Sequence, residues 1–462
     1  MHKAVLDTTG GIVPARPAVS TAAGARHAAN VAAASFPAWS RTPPSERRAV
    51  LNRAADLLLQ RSEDFVAAIR LETGGTRAWG ELNCRLGASI LREAAAMTTQ
   101  IAGEVIPSDQ SGSLALAIRQ PCGVVLSIAP WNAPIVLSVR ALAMPLACGN
   151  TVVFKASELC PRTHALVAAT LHEAGVPKGA LAVVHNADDE AESIVETLIA
   201  HPAVRRVNFT GSTRVGRVIA ELCARHLKKC LLELGGKAPM IVLDDADLDA
   251  AVEAAAFGAF FHQGQICMST ERLIVHEALA ADFVARLREK AERMALPDRS
   301  GETEIGPMIS EQAAGRVKAL VDDAVTKGAS LVAGGRQDGA RMEPTILDGI
   351  SPNMRVYYEE TFGPVAAVIR FSEIDEAVSI ANDTEYGLAA AVFGRDVGRA
   401  LAVARRIESG ICHVNRATIH DEPQMPFGGM KASGYGRFGG RAGMEEFTEL
   451  RWITIQDGGG HA

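Results

Sequence analysis

Long apolar runs are missing from this sequence: every strongly apolar stretch is interrupted by Pro, Asn or Arg before the roughly 18 residues a membrane span needs. The opening MHKAVLDTTGGIVPARP has neither the apolar core of a secretory signal nor the Arg/Ser-rich amphipathicity of a transit peptide. A soluble, cytoplasmic protein with no membrane partner is therefore expected. Basic tracts are also absent and the formal net charge is -6, so nucleic acid is not expected as a partner. The eight cysteines (Cys84, Cys122, Cys148, Cys160, Cys223, Cys230, Cys267, Cys412) are scattered and form no CxxC pair. That argues against a disulfide framework and against a metal site, and makes each by default a small buried hydrophobe. There is no internal repeat and no low-complexity linker. What remains is an ordinary globular balance, 48% hydrophobic and 22% charged over 462 residues, enough for two or three domains at roughly 100–200 residues each.

The first hundred residues have helical periodicity. Residues 45–70 and then 76–100 space apolar positions three and four apart with charges between, whereas 113–120 (SLALAIRQ) alternates as a half-exposed strand does. From residue 123 short apolar runs (123–130, 151–157, 181–186, 205–212) alternate with helical stretches near 134–147, 161–175 and 188–200. Such alternation, with strands apolar throughout, predicts a parallel sheet buried on both faces. A second series follows: strands over 238–247, 272–279, 364–372 and 388–396, with helices over 248–262, 281–296, 311–328, 375–384 and 397–408. The tail alternates again at 446–456 (EFTELRWITIQ), and this segment and 113–124 are candidates to pair as an exposed sheet that invites a second subunit.

Four segments carry candidate chemistry. FTGSTRVG (209–216) follows a strand and opens a helix, a place where small residues let backbone N–H groups meet a phosphate, though only Gly211 and Gly216 are spaced for it and a tight turn is an equal reading. VVFKASE (152–158) ends a strand with Lys155 and Glu158, which either address a ribose or form a surface ion pair. LLELGGKAP (231–239) puts Glu233 on an apolar strand before a Gly-Gly turn. Burial would raise its pKa toward that of a general base, and a salt bridge to Lys237 is the alternative. FFHQGQICMSTER (260–272) places Cys267 in a loop just beyond a helix, where a helix N-terminus or a cation can lower a thiol pKa.

Together with PWN (130–132), EETFGPV (359–365) and PFGGMKASGYGRFGG (426–440), these segments resemble, in order and along about residues 20–456, the NAD(P)-dependent aldehyde dehydrogenase superfamily. The resemblance implies an α/β fold of two doubly wound parallel-sheet domains, a Rossmann-like cofactor domain (1–108 and 126–233) and a catalytic domain (234–435), plus a small β oligomerisation appendage (109–125 and 436–462). By match to its motifs, Cys267 attacks the aldehyde carbon, Asn132 and the Cys267 backbone N–H hold the oxyanion, and hydride passes to the nicotinamide. Glu233 then activates the water that hydrolyses the thioester, giving free acid. Lys155, which also completes the catalytic set of Cys267, Glu233 and Asn132, and Glu158 match residues that hold the adenosine ribose, Ser212 with Gly211 and Gly216 the pyrophosphate turn, and Trp131, Glu360 and Phe362 the nicotinamide end. A glutamate at 158 favours NAD over NADP. KASE stands where lysine-proline-x-glutamate is usual, and His262, to which no role is assigned, where many relatives carry Asn.

Within the family, HDEPQMPFGG (420–429), FHQGQICMSTERL (261–273) and RALAMPLACGN (140–150) resemble the aromatic branch, which handles salicylaldehyde, vanillin or benzaldehyde. Arg140 lies two turns beyond Asn132 and either meets a ring substituent or pairs with a local acid. Trp79 either stacks on a ring or belongs to the core, and Ile266 and Met268 flank the cysteine as apolar lining. A homodimer or homotetramer is expected. The rival readings are the same chemistry on aliphatic or semialdehyde substrates, a non-catalytic structural relative, and a cofactor-free cysteine hydrolase. The third leaves FTGST and KASE without a purpose.

Overall fold

The computed structural model describes residues 16–187, 189–295 and 304–456, with the backbone of two short strands, Val5–Leu6 and Ile12–Val13. The ends of the expected ranges 1–108 and 436–462, positions 296–303 of the expected range 234–435, position 188 of the expected helix 188–200 and position 296 of the expected helix 281–296 fall outside these residues.

Two twisted sheets dominate the described residues, as the alternation of strands and helices predicts. The first has six strands in the order Gly434–Tyr435, Lys229–Glu233, Val204–Thr210, Val124–Ile128, Thr151–Lys155, Leu181–Val184. All neighbours are parallel except Gly434–Tyr435, which pairs antiparallel with the end of Lys229–Glu233. The strand interiors are buried on both faces, which is why they are apolar runs and not alternating ones. Helices Pro134–Ala147 and Pro161–Ala174 each begin with proline, whose fixed φ suits a first helical position. The second sheet has seven strands, Ser330–Ala333, Thr345–Asp348, Val365–Phe371, Thr270–His276, Ala238–Val242, Ala389–Phe393 and Ile411–Val414 in spatial order. Only Ser330–Ala333 is antiparallel.

The two alternating segments do pair: Ser113–Pro121 lies antiparallel to Thr448–Gln456 from Ser113↔Gln456 to Pro121↔Thr448, with Glu104–Ile106 on the other side. This three-stranded sheet leaves Val105, Leu114, Leu450 and Ile455 exposed, and Trp452 is 76% exposed.

Several elements differ from the periodicity: the expected strand 238–247 ends at Val242, and strands Ser330–Ala333, Thr345–Asp348 and Ile411–Val414 lie outside every expected strand. The expected helix 45–70 is two helices, Pro44–Gln60 and Ser62–Thr73, because Arg61 leaves helical geometry at φ -100°, ψ 17° while the apolar spacing runs on through it. The expected helix 248–262 ends at Phe260, since His262 and Gln263 take positive φ. The expected strand 272–279 covers Thr270–His276, and Glu277 already begins the next helix. Gly434–Tyr435, inside the range expected for the catalytic domain, is an edge strand of the first sheet.

Candidate active site

Cys267 sits on the short connection between helix Leu248–Phe260 and strand Thr270–His276, in backbone wound into an uncommon shape. His262, Gln263 and Gly264 have φ of 50°, 56° and 67° in succession. At Gly264 only glycine fits, because a Cβ would lie 2.1 Å from the Gly363 carbonyl oxygen. The turn is tied down by Ser269 Oγ donating to the Gly264 carbonyl at 3.0 Å and by the Ile309 N–H donating to Gln265 Oε1 at 2.9 Å. Across the sheet ends, Gly236 passes so near that a Cβ there would lie 2.2 Å from the Cys267 carbonyl oxygen.

Asn132, just ahead of helix Pro134–Ala147, is buried and reaches the same turn: its Nδ2 donates to the Gln265 carbonyl at 3.0 Å. A carboxamide nitrogen has two protons, so one holds the loop and one is left for a ligand. The Cys267 N–H enters no hydrogen bond among the described residues. Asn132 is itself fixed from behind, its backbone carbonyl accepting from Trp79 Nε1 at 3.0 Å. The Trp79 ring stacks flat on His262 at 4.3 Å. His262 thus has a place the sequence does not suggest: buried beneath Trp79, its pKa lowered to about 3 by burial, it is a neutral aromatic plate.

Glu233 ends the strand Lys229–Glu233 and is 1% exposed, with neither carboxylate oxygen hydrogen-bonded. Lys237, the alternative partner considered from sequence, pairs with Glu271 instead. Burial raises the Glu233 pKa to about 7; the Cys267 thiol and the Arg140 charge pull against that rise and Asp421 adds to it. The expectation that a helix terminus or cation lowers the Cys267 pKa is corrected by the same surroundings. Burial pushes the thiol up, the carboxylates of Glu233 and Glu360 push it further, and Arg140 opposes them without prevailing. Glu233 is the carboxylate beside the thiol.

The residues expected to meet a cofactor stand mostly at the carboxyl ends of the first sheet. Lys155 closes strand Thr151–Lys155, and its Nζ meets Glu158 Oε2 at 2.8 Å, so the ion-pair reading and a shared position both hold. Burial raises the Glu158 carboxyl, but Lys155 outweighs it and the net pKa is lowered. Ser212 caps helix Thr213–Arg225, its Oγ accepting from the Val215 N–H at 3.4 Å, and the first-turn N–H groups of that helix point outward from the ladder. Gly211 and Gly216 have packing reasons to be glycine: a Cβ would lie 2.5 Å from the Phe209 ring and 2.4 Å from Leu234. Glu360 Oε1 accepts from the Gly236 N–H at 2.9 Å, and burial with Glu271 nearby raises its pKa to about 7. Phe362, at φ 48°, meets the Trp131 ring edge-on at 5.9 Å. The Phe362 segment is held by Glu271, which accepts from the Thr361 and Phe362 N–H groups. A donor–acceptor pair for a diol, a helix N-terminus for a pyrophosphate and the aromatic pair of Trp131 and Phe362 fit a nicotinamide dinucleotide.

On the other side of Cys267 opens a cavity of about 380 Å³. It brings together Trp79, Arg140, Ile266 and Met268 as the sequence expects, and adds Leu82, Leu86, Phe427 and Asp421. Arg140 lines this cavity and also takes the local-acid alternative, pairing with Asp421 while its guanidinium lies 4.0 Å over the Phe427 ring. The 79, 82, 86 spacing on one helix was the sequence signal for the first two additions; Asp421 and Phe427 lie on a loop whose path no local pattern reveals. Of the remaining cysteines, Cys122 and Cys412 are half-buried and the other five buried, all as free thiols. Among the described residues no group of three or more His, Cys, Asp or Glu could hold a metal, and no helix is long and apolar enough to cross a membrane.

The aldehyde dehydrogenase family pattern matches residues 3–453. The chain is 58% identical to vanillin dehydrogenase of Pseudomonas fluorescens, over 98% of this chain and 94% of that one. It is 50% identical to salicylaldehyde dehydrogenase of Pseudomonas putida, over 95% of this chain and 91% of that one. The crystal structure of a salicylaldehyde dehydrogenase from Pseudomonas putida G7 complexed with salicylaldehyde superposes with a TM-score of 0.94 at 50% identity, covering 96% of this chain and 92% of that chain.

Proposed function

The chain belongs to the aldehyde dehydrogenase family, and from that premise we propose that it oxidises an aromatic aldehyde to the carboxylic acid through Cys267 with NAD as acceptor. The observation that carries the aromatic reading is the cavity beside Cys267. Trp79, Phe427, Leu82 and Leu86 wall it with flat and apolar surface, and its volume suits a single substituted ring. The relatives named for vanillin and salicylaldehyde support the same substrate class.

In this reading the Cys267 sulfur bonds to the carbonyl carbon and the thiol proton leaves to solvent. The oxygen becomes an oxyanion between the second Asn132 Nδ2 proton and the Cys267 N–H, donors of the kind that cost about 3–4 kcal/mol of activation free energy when one is removed. A nicotinamide held by these residues would supply the hydride acceptor for the adduct carbon, which then becomes a thioester on Cys267. Glu233 then takes a proton from water as the water oxygen attacks the thioester carbon; the C–S bond breaks, the Cys267 sulfur leaves as thiolate and takes that proton from Glu233, and the acid departs. A pKa of about 7 lets Glu233 accept that proton and release it near neutrality.

Lys155, Glu158, Gly211, Ser212, Gly216, Trp131, Glu360 and Phe362 are assigned to the cofactor, and Arg140, Trp79, Ile266 and Met268 to the substrate. The ionised Glu158 would repel a ribose 2′-phosphate, which favours NAD over NADP. Residues 1–108 and 126–233 are assigned to the cofactor domain and 234–435 to the catalytic one. The appendage of 109–125 and 436–462 is assigned to a homodimer or homotetramer contact, supported by exposed Leu450, Trp452 and Ile455 on a sheet with open edges. An aldehyde panel followed by NADH absorbance tests the substrate class. Benzaldehydes are expected to give the higher kcat/KM, and a clear preference for straight-chain aldehydes or semialdehydes would replace the aromatic reading.

A further inference from the structure

The contacts around Asn132 close on themselves. Its Nδ2 donates to the Gln265 carbonyl at 3.0 Å, and the Gln265 N–H donates to the His262 carbonyl at 3.0 Å. The His262 ring stacks on Trp79 with centroids 4.3 Å apart and planes 11° from parallel. Trp79 Nε1 completes the circuit by donating to the Asn132 backbone carbonyl at 3.0 Å. Asn132 is thus gripped at its side chain by the cysteine loop and at its backbone by the indole that His262 covers. His262, Trp79 and Asn132 are all buried.

His262 has φ 50°, a conformation that Asn and Asp tolerate as His does. The backbone alone therefore does not require a ring at this position; the flat face over Trp79 does. An indole turns about two side-chain torsions, and a parallel plate in contact with its face takes away the freedom to tip. Phe261 limits the same ring from another side, meeting it edge-on at 5.4 Å. Held in this way, the indole N–H keeps one direction, and the Asn132 carbonyl lies in it. Burial keeps the plate uncharged, so it does not change over the pH range of an ordinary assay.

We propose that His262 is a positioning residue for the oxyanion: by stacking on Trp79 it fixes the indole N–H that holds Asn132, and so aims the free Nδ2 proton of Asn132 at the developing charge. The proposal rests on the oxyanion role given to Asn132 above and deepens it. His262 is not among the residues that wall the substrate cavity, so it acts through Trp79 and Asn132 and not on the aldehyde itself. Aim matters here because a donor misplaced by about 1 Å can cost about 10²-fold in rate.

The test is a double-mutant cycle of His262→Asn with Asn132→Ala, reading kcat and KM for benzaldehyde with NAD. Asparagine accepts the backbone conformation and removes the plate. His262→Asn should lower kcat and kcat/KM together by about 10- to 100-fold with KM nearly unchanged, as when an interaction made only in the transition state is lost. In the Asn132→Ala background the same substitution should cost less than about 2-fold, because no amide remains to be aimed. His262→Phe, which restores the flat face, should recover most of kcat. An equal cost in both backgrounds overturns the proposal. So does a loss carried by KM alone, or a phenylalanine no better than asparagine. If His262→Asn does not fold, Trp79→Phe, which deletes the N–H to Asn132, takes its place in the cycle, read as kcat at saturating aldehyde. Wild-type rates in Asn132→Ala would sink the oxyanion reading beneath, whereas a large loss there beside a harmless His262→Asn sinks this proposal alone.

Discussion

Replacing Glu233 by glutamine should make the protein more stable at alkaline pH while disabling it. The carboxylate is buried with no hydrogen bond, and its pKa rises from 4.5 to about 7. A group whose folded-state pKa lies above its unfolded value binds more protons in the folded state, so the folded state loses stability as pH rises between the two values. At roughly 1.4 kcal/mol per pKa unit the shift amounts to about 3 kcal/mol, complete above pH 7 and absent below the unfolded pKa. Glutamine keeps the shape without the charge. Thermal unfolding of wild type and Glu233→Gln without added cofactor should therefore show nearly matched midpoints in mild acid and a variant midpoint several degrees higher at pH 8. A difference that stays constant with pH, or favours the wild type at pH 8, would refute the claim that Glu233 is an unpartnered buried carboxylate. In the same variant NADH should appear as a first-turnover burst followed by a steady rate about 10²- to 10⁴-fold below normal.

Asn132→Ala should lower kcat/KM by about 10²- to 10³-fold; because the same amide holds the Gln265 carbonyl, chymotryptic cleavage after Phe261 should also accelerate, and unchanged kinetics would remove Asn132 from the oxyanion site. Gly264→Ala should yield little folded protein, since the new Cβ would lie 2.1 Å from a backbone oxygen at φ 67°; a soluble variant of normal midpoint would contradict the loop geometry. Glu158→Ser should raise kcat/KM with NADP relative to NAD, and an unchanged ratio would show that this carboxylate does not select the cofactor. Trp452→Lys with Leu450→Lys should shift sedimentation toward monomer; an unaltered assembly would move the contact away from the appendage sheet.

The sheets were legible because parallel strands buried on both faces are written as short apolar runs, and the appendage because half-exposed strands alternate. Cys267, Glu233 and Asn132 could be singled out from their motifs, and the structure brings all three together. Their electrostatics could not. A thiol raised by burial, and a glutamate whose candidate lysine is taken by Glu271, depend on neighbours from distant segments. The helix over 45–70 concealed a break at Arg61 because periodicity records which face is buried and not whether the axis is continuous. His262 under Trp79 and Asp421 against Arg140 arise where a turn of positive φ and an irregular loop fold onto a helix, contacts that no local pattern encodes.

The central claim is a thioester on one particular cysteine of eight. Glu233→Gln incubated with benzaldehyde and NAD, quenched in acid and digested, should yield a benzoyl adduct on the peptide that contains Cys267 and on no other. An unmodified Cys267 after a full NADH burst, or the acyl group on another cysteine, would contradict the account.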